Sequence, residues 1–412
     1  MMNQEKIKEI CGIIEDNIEK KHVGKLNGSE KELFLIGEAY PGVWLEHVYD
    51  SVMYAKLFPE KGKEIARNTV EFFIDRQTSH GQLPCYIFKR ERFPHLAEKD
   101  LTGYSQIQEC VSFGSLCYEA YEMLQDKAFL EKCYNSVEKW VAWLENNRMT
   151  LGTGLVEMFV GYDTGHDNSL RLEGMSYTGN YEIDGELQNA AVLPPDAGAS
   201  PILAVDMNCN FYGNLVALSK MAFALGFKEK AEMWKNRAER HKKLIFEKLF
   251  DKEDLFFYDV DKSGNMRKIK SCTIFHPFIE KLLDKNKDKE LIEKISDLHI
   301  MNPEEFRTEY PFPSVAANDK AFVKTTQYNC WGYFTQGLIA LRTTLWMDEY
   351  GMKGELDTVC EKWLKAWTAC FEEVEFGQEL DPFTGKAPTK DAKWYSSTVL
   401  FYLYSARRLG IV

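Results

Sequence analysis

The chain has 412 residues and a formal net charge of −12, with 45% hydrophobic and 28% charged residues, the balance of a globular protein. The acidic surplus, with no long basic run, argues against nucleic-acid binding as the main task, and no stretch approaches the length of a membrane span. Ten cysteines without a Cys-x-x-Cys pair argue against a disulfide framework or structural zinc site; with no signal-peptide core near Met1, they predict reduced thiols in a cytoplasmic protein.

Helical periodicity runs along the chain. Lys and Glu alternate from Asn3 to Lys21 as the solvated face of a first helix over 7–20. Paired helices follow over 48–58 with 61–78, and over 106–124 with 127–146. Phe211, Leu215, Leu218, Ala222 and Leu225 then advance by fours and threes along one face. Gly226 offers a helix stop, and Ala231, Trp234, Ala238, His241 and Ile245 form the face of the next helix, so the two make a hairpin. Further helices fit 274–283, 290–296, 331–350 with 355–371, and 395–409. About twelve helices in antiparallel pairs, with no convincing run of strands, predict an all-α chain that is one domain over 1–412, either a closed ring of hairpins or an open solenoid.

Long loops break the pattern at 80–104, 149–205, 307–329 and 375–393. The second holds 8 of the 27 glycines in 57 residues, and segments this long inside a domain are usually functional. In a ring of hairpins, alternate loops emerge at one end and would wall a cleft there.

Two loop motifs could carry chemistry. Thr164-Gly165-His166-Asp167-Asn168-Ser169-Leu170-Arg171 places a carboxylate in a tight, glycine-containing turn, although Asp-Asn-Ser is also an ordinary turn or cap. Gln378-Glu379-Leu380-Asp381-Pro382-Phe383-Thr384-Gly385, preceded by Glu375, brings several carboxylates to a Pro-x-Thr-Gly turn. Glycoside hydrolysis needs two carboxylates from separate parts of a chain, one to protonate the leaving oxygen and one to activate water or attack.

These segments resemble the (α/α)6-barrel hydrolases of glycoside hydrolase family 63 and their trehalase and mannosylglycerate or glucosylglycerate hydrolase relatives. The resemblance runs through nearly the whole chain. Trp44 to Ser51 is similar to an early family segment with an aromatic–Asp pair at the sugar pocket. Gln77 with Gly81-Gln82-Leu83-Pro84 is similar to a Gln-x-x-x-Gly-x-x-Pro stretch. Thr164 to Arg171 resembles Ser-Gly-x-Asp-Asn-Ser-Pro-Arg, with Leu170 in place of Pro. Val205 to Asn208, Tyr328 to Gly332 and Asp381 to Gly385 resemble further family segments.

The resemblance implies an (α/α)6 toroid with active-site loops at one end, and an inverting, exo-acting α-glycosidase on a small glycoside or disaccharide. It implies Asp167 as general acid, no metal and no organic cofactor. In the relatives the base lies four residues before the Pro of Pro-x-Thr-Gly, which here is Gln378, an amide unable to accept a proton from water. Glu379 in a shifted loop is the favoured replacement; Glu375, or no base at all, are the others. Substrate contacts are expected from Trp44, Asp50, Gln108, Arg171, Trp331, Gln378 and Trp394. The three tryptophans serve equally as core, Asp50 and Asp206 as structural groups, and Arg171 as a partner of Asp167 that would lower its pKa. A sugar isomerase on the same scaffold would use histidines, of which there are eight; a non-catalytic sugar-binding descendant would explain Gln378. The expected partner is a small carbohydrate, with neither nucleic acid nor membrane, and the sequence leaves the oligomeric state open.

Overall fold

The computed structural model describes residues 3–26, 29–38, 40–88, 101–176, 190–388 and 393–412. Parts of three expected loops, 89–100, 177–189 and 389–392, lie outside the described residues. The apolar periodicity resolves into α1 (Gln4–His22), α2 (Val48–Leu57), α3 (Pro59–Ile74), α4 (Phe113–Leu124), α5 (Lys127–Asn147), α6 (Val205–Ala224), α7 (Lys228–Lys248), α8 (His276–Ile279), α9 (Lys289–Ile295), α10 (Gly337–Arg342), α11 (Lys353–Val374) and α12 (Ser396–Arg408). Helix is the dominant structure, and among the described residues no helix is long and apolar enough to cross a membrane.

The joints show why consecutive helices fold back. Phe58 separates α2 from α3, which starts with Pro59 in its first turn, where the missing N–H costs nothing. Asp126 begins α5 by accepting from the Ala128 and Phe129 amides at 2.8 and 3.2 Å. Gly226, at φ 89°, turns the chain between α6 and α7.

Burial divides the helices into two groups. α6 buries 15 of its 20 residues and α2 buries 8 of its 10, so both are enclosed on nearly every side. α7 buries 5 of its 21, the single stripe of a helix facing solvent. Alternate helices follow one another in space: α12 packs on α2, α2 on α4, α4 on α6, and α6 on α8, while α10 packs on α12. α3, α5, α7 and α11 each lie against an enclosed neighbour, and α1 meets both α11 and α12.

The short strands matter mainly as fasteners. Residues 42–44 pair with 86–88, which pair with 101–103; residues 335–336 pair antiparallel with 379–380, placing Gln336 opposite Glu379. That last pairing corrects one expectation: the helix expected from 331 starts only at Gly337, because 335–336 are committed to a strand. The segment expected as helix over 274–283 is a 3-10 turn, Cys272–Phe275, followed by one turn of α8.

α4 starts at Phe113 and not at 106, and a buried carboxylate explains this. Glu109 accepts from the Phe113 amide at 2.6 Å, from Asn214 Nδ2 of α6 at 2.9 Å and from Trp140 Nε1 of α5 at 3.2 Å. Burial raises its pKa against these three bonds. Gln108, just before it at φ 54°, stays outside the helix and lines a cavity. Replacing Glu109 by Ala strands three buried donors, so Glu109→Ala is expected to cost at least about 2 kcal/mol, read as a lower unfolding midpoint in calorimetry.

Candidate active site

The loop bearing Asp167 is fixed from below by a buried guanidinium. Arg171 donates to both oxygens of Asp206, at 2.8 and 2.9 Å, and to both of Asp259, at 2.6 and 3.0 Å. It also faces His166 Nδ1 at 2.8 Å. Burial alone would lift the Asp206 carboxyl, but the Arg171 charge more than reverses this and holds it below the usual carboxylate range. Asp206 sits in the first turn of α6 and Asp259 accepts from the Val205 amide, so the loop is bound to the start of that helix. His166, kept neutral by burial, stacks on Trp331 with ring centroids 4.5 Å apart.

Among the described residues, His166, Asp206 and His276 bring metal-capable atoms within 4.8 Å of one another. Arg171 already pairs with Asp206 and faces His166, so the positive charge a cation would bring is supplied by the protein, and a divalent ion there would be repelled by it.

Above this base the chain turns sharply. Gly165 adopts φ 70°, and a Cβ on it would lie 2.2 Å from Glu46 Oε2, so only glycine fits against that carboxylate. Asn168, at φ 60°, reverses the chain and donates to Asn329 O at 2.8 Å. The Trp331 amide donates to Asp167 O at 3.0 Å, seating the loop on residues 329–331.

Asp167 projects between these anchors into a cavity. Trp44, Glu46, His47, Gln108, Asn329, Trp331, Gln378 and Tyr395 are among its other wall residues. Asp167 Oδ2 accepts from Asn329 Nδ2 at 2.9 Å, and Oδ1 is shielded from bulk water without a protein partner. Burial pushes the carboxyl up to about 7; the Glu46 charge adds to the shift and the Asn329 bond opposes it. Arg171, spent on Asp206 and Asp259, does not pair with Asp167.

Asn329 is the bridge across the site. Its Oδ1 accepts from Gln378 Nε2 at 3.0 Å, and Gln378 Oε1 accepts from the Tyr40 hydroxyl at 3.2 Å. Its backbone, at φ 48°, is held by Glu379, whose Oε1 accepts from the Asn329 amide at 2.7 Å. Glu379 Oε2 accepts from the Cys330 amide at 3.3 Å and from Gln336 Nε2 at 2.7 Å. Burial raises Glu379 to about 7 against these bonds.

Five of the expected substrate or catalytic residues, Trp44, Gln108, Asp167, Trp331 and Gln378, line the cavity. Four lie outside its wall. Glu379 stands behind it, both oxygens taken by loop donors. Asp50 is buried at the base of α2, accepting from the Ser396 and Ser397 hydroxyls at the start of α12. Arg171 is enclosed by its two aspartates. The Trp394 indole donates to Glu375, which also pairs with Lys393, so Glu375 is engaged there as well. Sequence reasoning did not single out Glu46, His47, Asn329 or Tyr395. Glu46 and His47 stand in a 3-10 turn ahead of α2, and His47 Nε2 lies 2.7 Å from the Tyr395 hydroxyl.

A family model described as the mannosylglycerate hydrolase MGH1-like glycoside hydrolase domain matches residues 58–398. No curated protein matches the chain. Among solved structures, the GH63 mannosylglycerate hydrolase of Thermus thermophilus in complex with Tris and D-glycerate is similar over 97% of this chain and 99% of its own, with a TM-score of 0.69 and 18% identity. The same enzyme in complex with glucose gives a TM-score of 0.66 at 18% identity, over 96% and 99% of the two chains. Neutral trehalase of Saccharomyces cerevisiae gives 0.66 at 13% identity, over 97% of this chain and 81% of that one. At these identities the structures show a shared fold, and the family model, spanning most of the sequence, shows that the chain belongs to the MGH1-like glycoside hydrolases of family 63.

Proposed function

We propose that the cavity binds one sugar ring of a small α-glycoside or disaccharide, and that Asp167 protonates the leaving glycosidic oxygen in an inverting hydrolysis. The observation that carries this reading is the state of Asp167, a residue of the cavity wall: a carboxyl raised to about 7, with one oxygen oriented by Asn329 and the other buried without a protein partner. A general acid must hold its proton near neutral pH, and burial without a cationic partner gives that property. Trp44 and Trp331 supply flat apolar walls, and Gln108, Gln378 and Tyr395 supply groups for hydroxyls. The substrates and ligands named for the similar structures, mannosylglycerate, trehalose, glucose and D-glycerate, indicate the size of molecule to test. We place the activity in the cytoplasm, in keeping with ten free cysteines. The helices are proposed to close as an (α/α)6 ring, supported by the contacts of α1 and α2 with α12.

One observation favours a second reading. Gln378 offers the cavity an amide where the family pattern has a base, as a sugar-binding protein without hydrolytic activity would. An isomerase has less support, since His47 is the single histidine among the described wall residues.

Incubation of the purified chain with mannosylglycerate, glucosylglycerate and trehalose is expected to release a reducing sugar from at least one, with the β-anomer seen first by proton NMR. Binding by calorimetry without release would favour the second reading, and an α-anomer from either glycerate glycoside, or two α-glucoses from trehalose, would end the inverting scheme. Asp167→Asn is expected to lower kcat about 10²–10⁴-fold on the accepted glycoside with little change in sugar binding. Because the acid must be protonated, kcat/KM of the wild-type enzyme is expected to fall as pH rises through about 7, measured in a pH series of initial rates.

A further inference from the structure

Water attacking an anomeric carbon must lose a proton, and the wall must hold a group that takes it. Gln378 has no basic atom at neutral pH. Glu379 faces away, with Asn329, Cys330 and Gln336 donating to its two oxygens. Glu375 is engaged by Trp394 and Lys393. Among the described wall residues the carboxylates are Asp167 and Glu46. None of these wall residues is Lys or Arg, so the cavity lacks the cation that would seat phosphate in place of water as the nucleophile.

Resting on the glycosidase reading above, we infer that Glu46 is the general base, taking over the task that Gln378 cannot perform. Its place in the fold suits this. The 3-10 turn Leu45–His47 is fastened at one end by the pairing of 42–44 with 86–88 and at the other by α2. Oε1 lies 3.3 Å from His47 Nδ1, and His47 is oriented by Tyr395 on its other nitrogen. Oε2 points toward the Asp167 turn, where it meets bare Gly165 and, at 3.8 Å, the weakly donating Cys110 thiol. That oxygen is left with capacity for a water. Glycine at 165 is what lets this carboxylate approach the acid-bearing turn at all.

The step balances. The water oxygen forms a bond to the anomeric carbon as the glycosidic C–O bond breaks. The water's proton passes to Glu46 and the proton of Asp167 passes to the leaving oxygen. Water then returns both carboxyls to their starting states.

The test uses α-D-mannosyl fluoride and α-D-glucosyl fluoride, whose fluoride departs without a proton. The wild-type chain is expected to release fluoride from at least one of them. Glu46→Ala and Glu46→Gln, checked for wild-type circular dichroism, are expected to lose about 10²–10⁴-fold in kcat. Sodium azide is expected to restore turnover to Glu46→Ala and to yield the β-glycosyl azide by NMR, because an anionic nucleophile needs no base. Asp167→Asn is expected to keep most of its fluoride activity while losing the O-glycoside. Glu46 variants within tenfold of wild type, or a loss that azide does not restore, would overturn the assignment and leave Glu46 as a group that binds a hydroxyl. A wild-type chain inert to both fluorides and to every O-glycoside above would remove the glycosidase reading itself, and this inference with it.

Discussion

The site depends on one guanidinium buried away from solvent. Arg171 faces two aspartates, from the start of α6 and from strand residues 259–260, and orients an imidazole with a remaining N–H. Burying three ionised groups is costly, and the geometry offsets the cost by leaving few of their hydrogen-bonding positions idle. The return is positional. A loop of 3-10 turns has little rigidity of its own, and Arg171 transfers to it the stiffness of α6. His166 and Trp331 then carry that stiffness to the cavity wall.

Electrostatic consequences follow from where this charge is placed. Had Arg171 reached Asp167, its charge would favour the ionised form of that carboxyl. Its two aspartates keep it occupied, while Asp167 has an amide for company, and so burial governs its proton affinity. The charge of Glu46 adds to the shift. The acid in the loop and the structural carboxylate at the start of α6 titrate in opposite directions, Asp167 upward and Asp206 downward, because the cation is given to one and withheld from the other.

Much of the helical layout is legible in the sequence because long amphipathic helices write their period plainly. Phe211, Leu215, Leu218 and Ala222 are buried in α6, and the Ala231–Ile245 face is the buried stripe of α7. What the period does not show is where tertiary bonds override it: Glu109 delays α4, and the strand at 335–336 delays α10. Two-residue strands are too short to show alternation. At the site, the turn context around Asp167 was readable, as was the amide at 378. Asp50 misled because a carboxylate next to an aromatic looks the same whether it faces sugar or a pair of serines 346 and 347 residues away. Glu46 and Tyr395 were hidden for the complementary reason: their roles arise from packing α2 beside α12, which no local pattern records.

The pairing of 379–380 with 335–336 carries a further meaning when considered as parity. Neighbouring residues of an extended chain point to opposite sides, so within Gln378-Glu379 one side chain looks into the cavity and the other into the scaffold. Which of the two meets the cavity is decided by an odd or even count of residues between the end of α11 and the bond from Gln336 to Glu379. A carboxylate and an amide one position apart are nearly equal in size, yet this chain spends the charged one on holding Asn329 and presents the neutral one to the cavity. Loss or gain of a single residue in 375–377 would exchange them. In this fold which of two neighbouring side chains reaches the cavity is therefore a matter of counting as much as of composition.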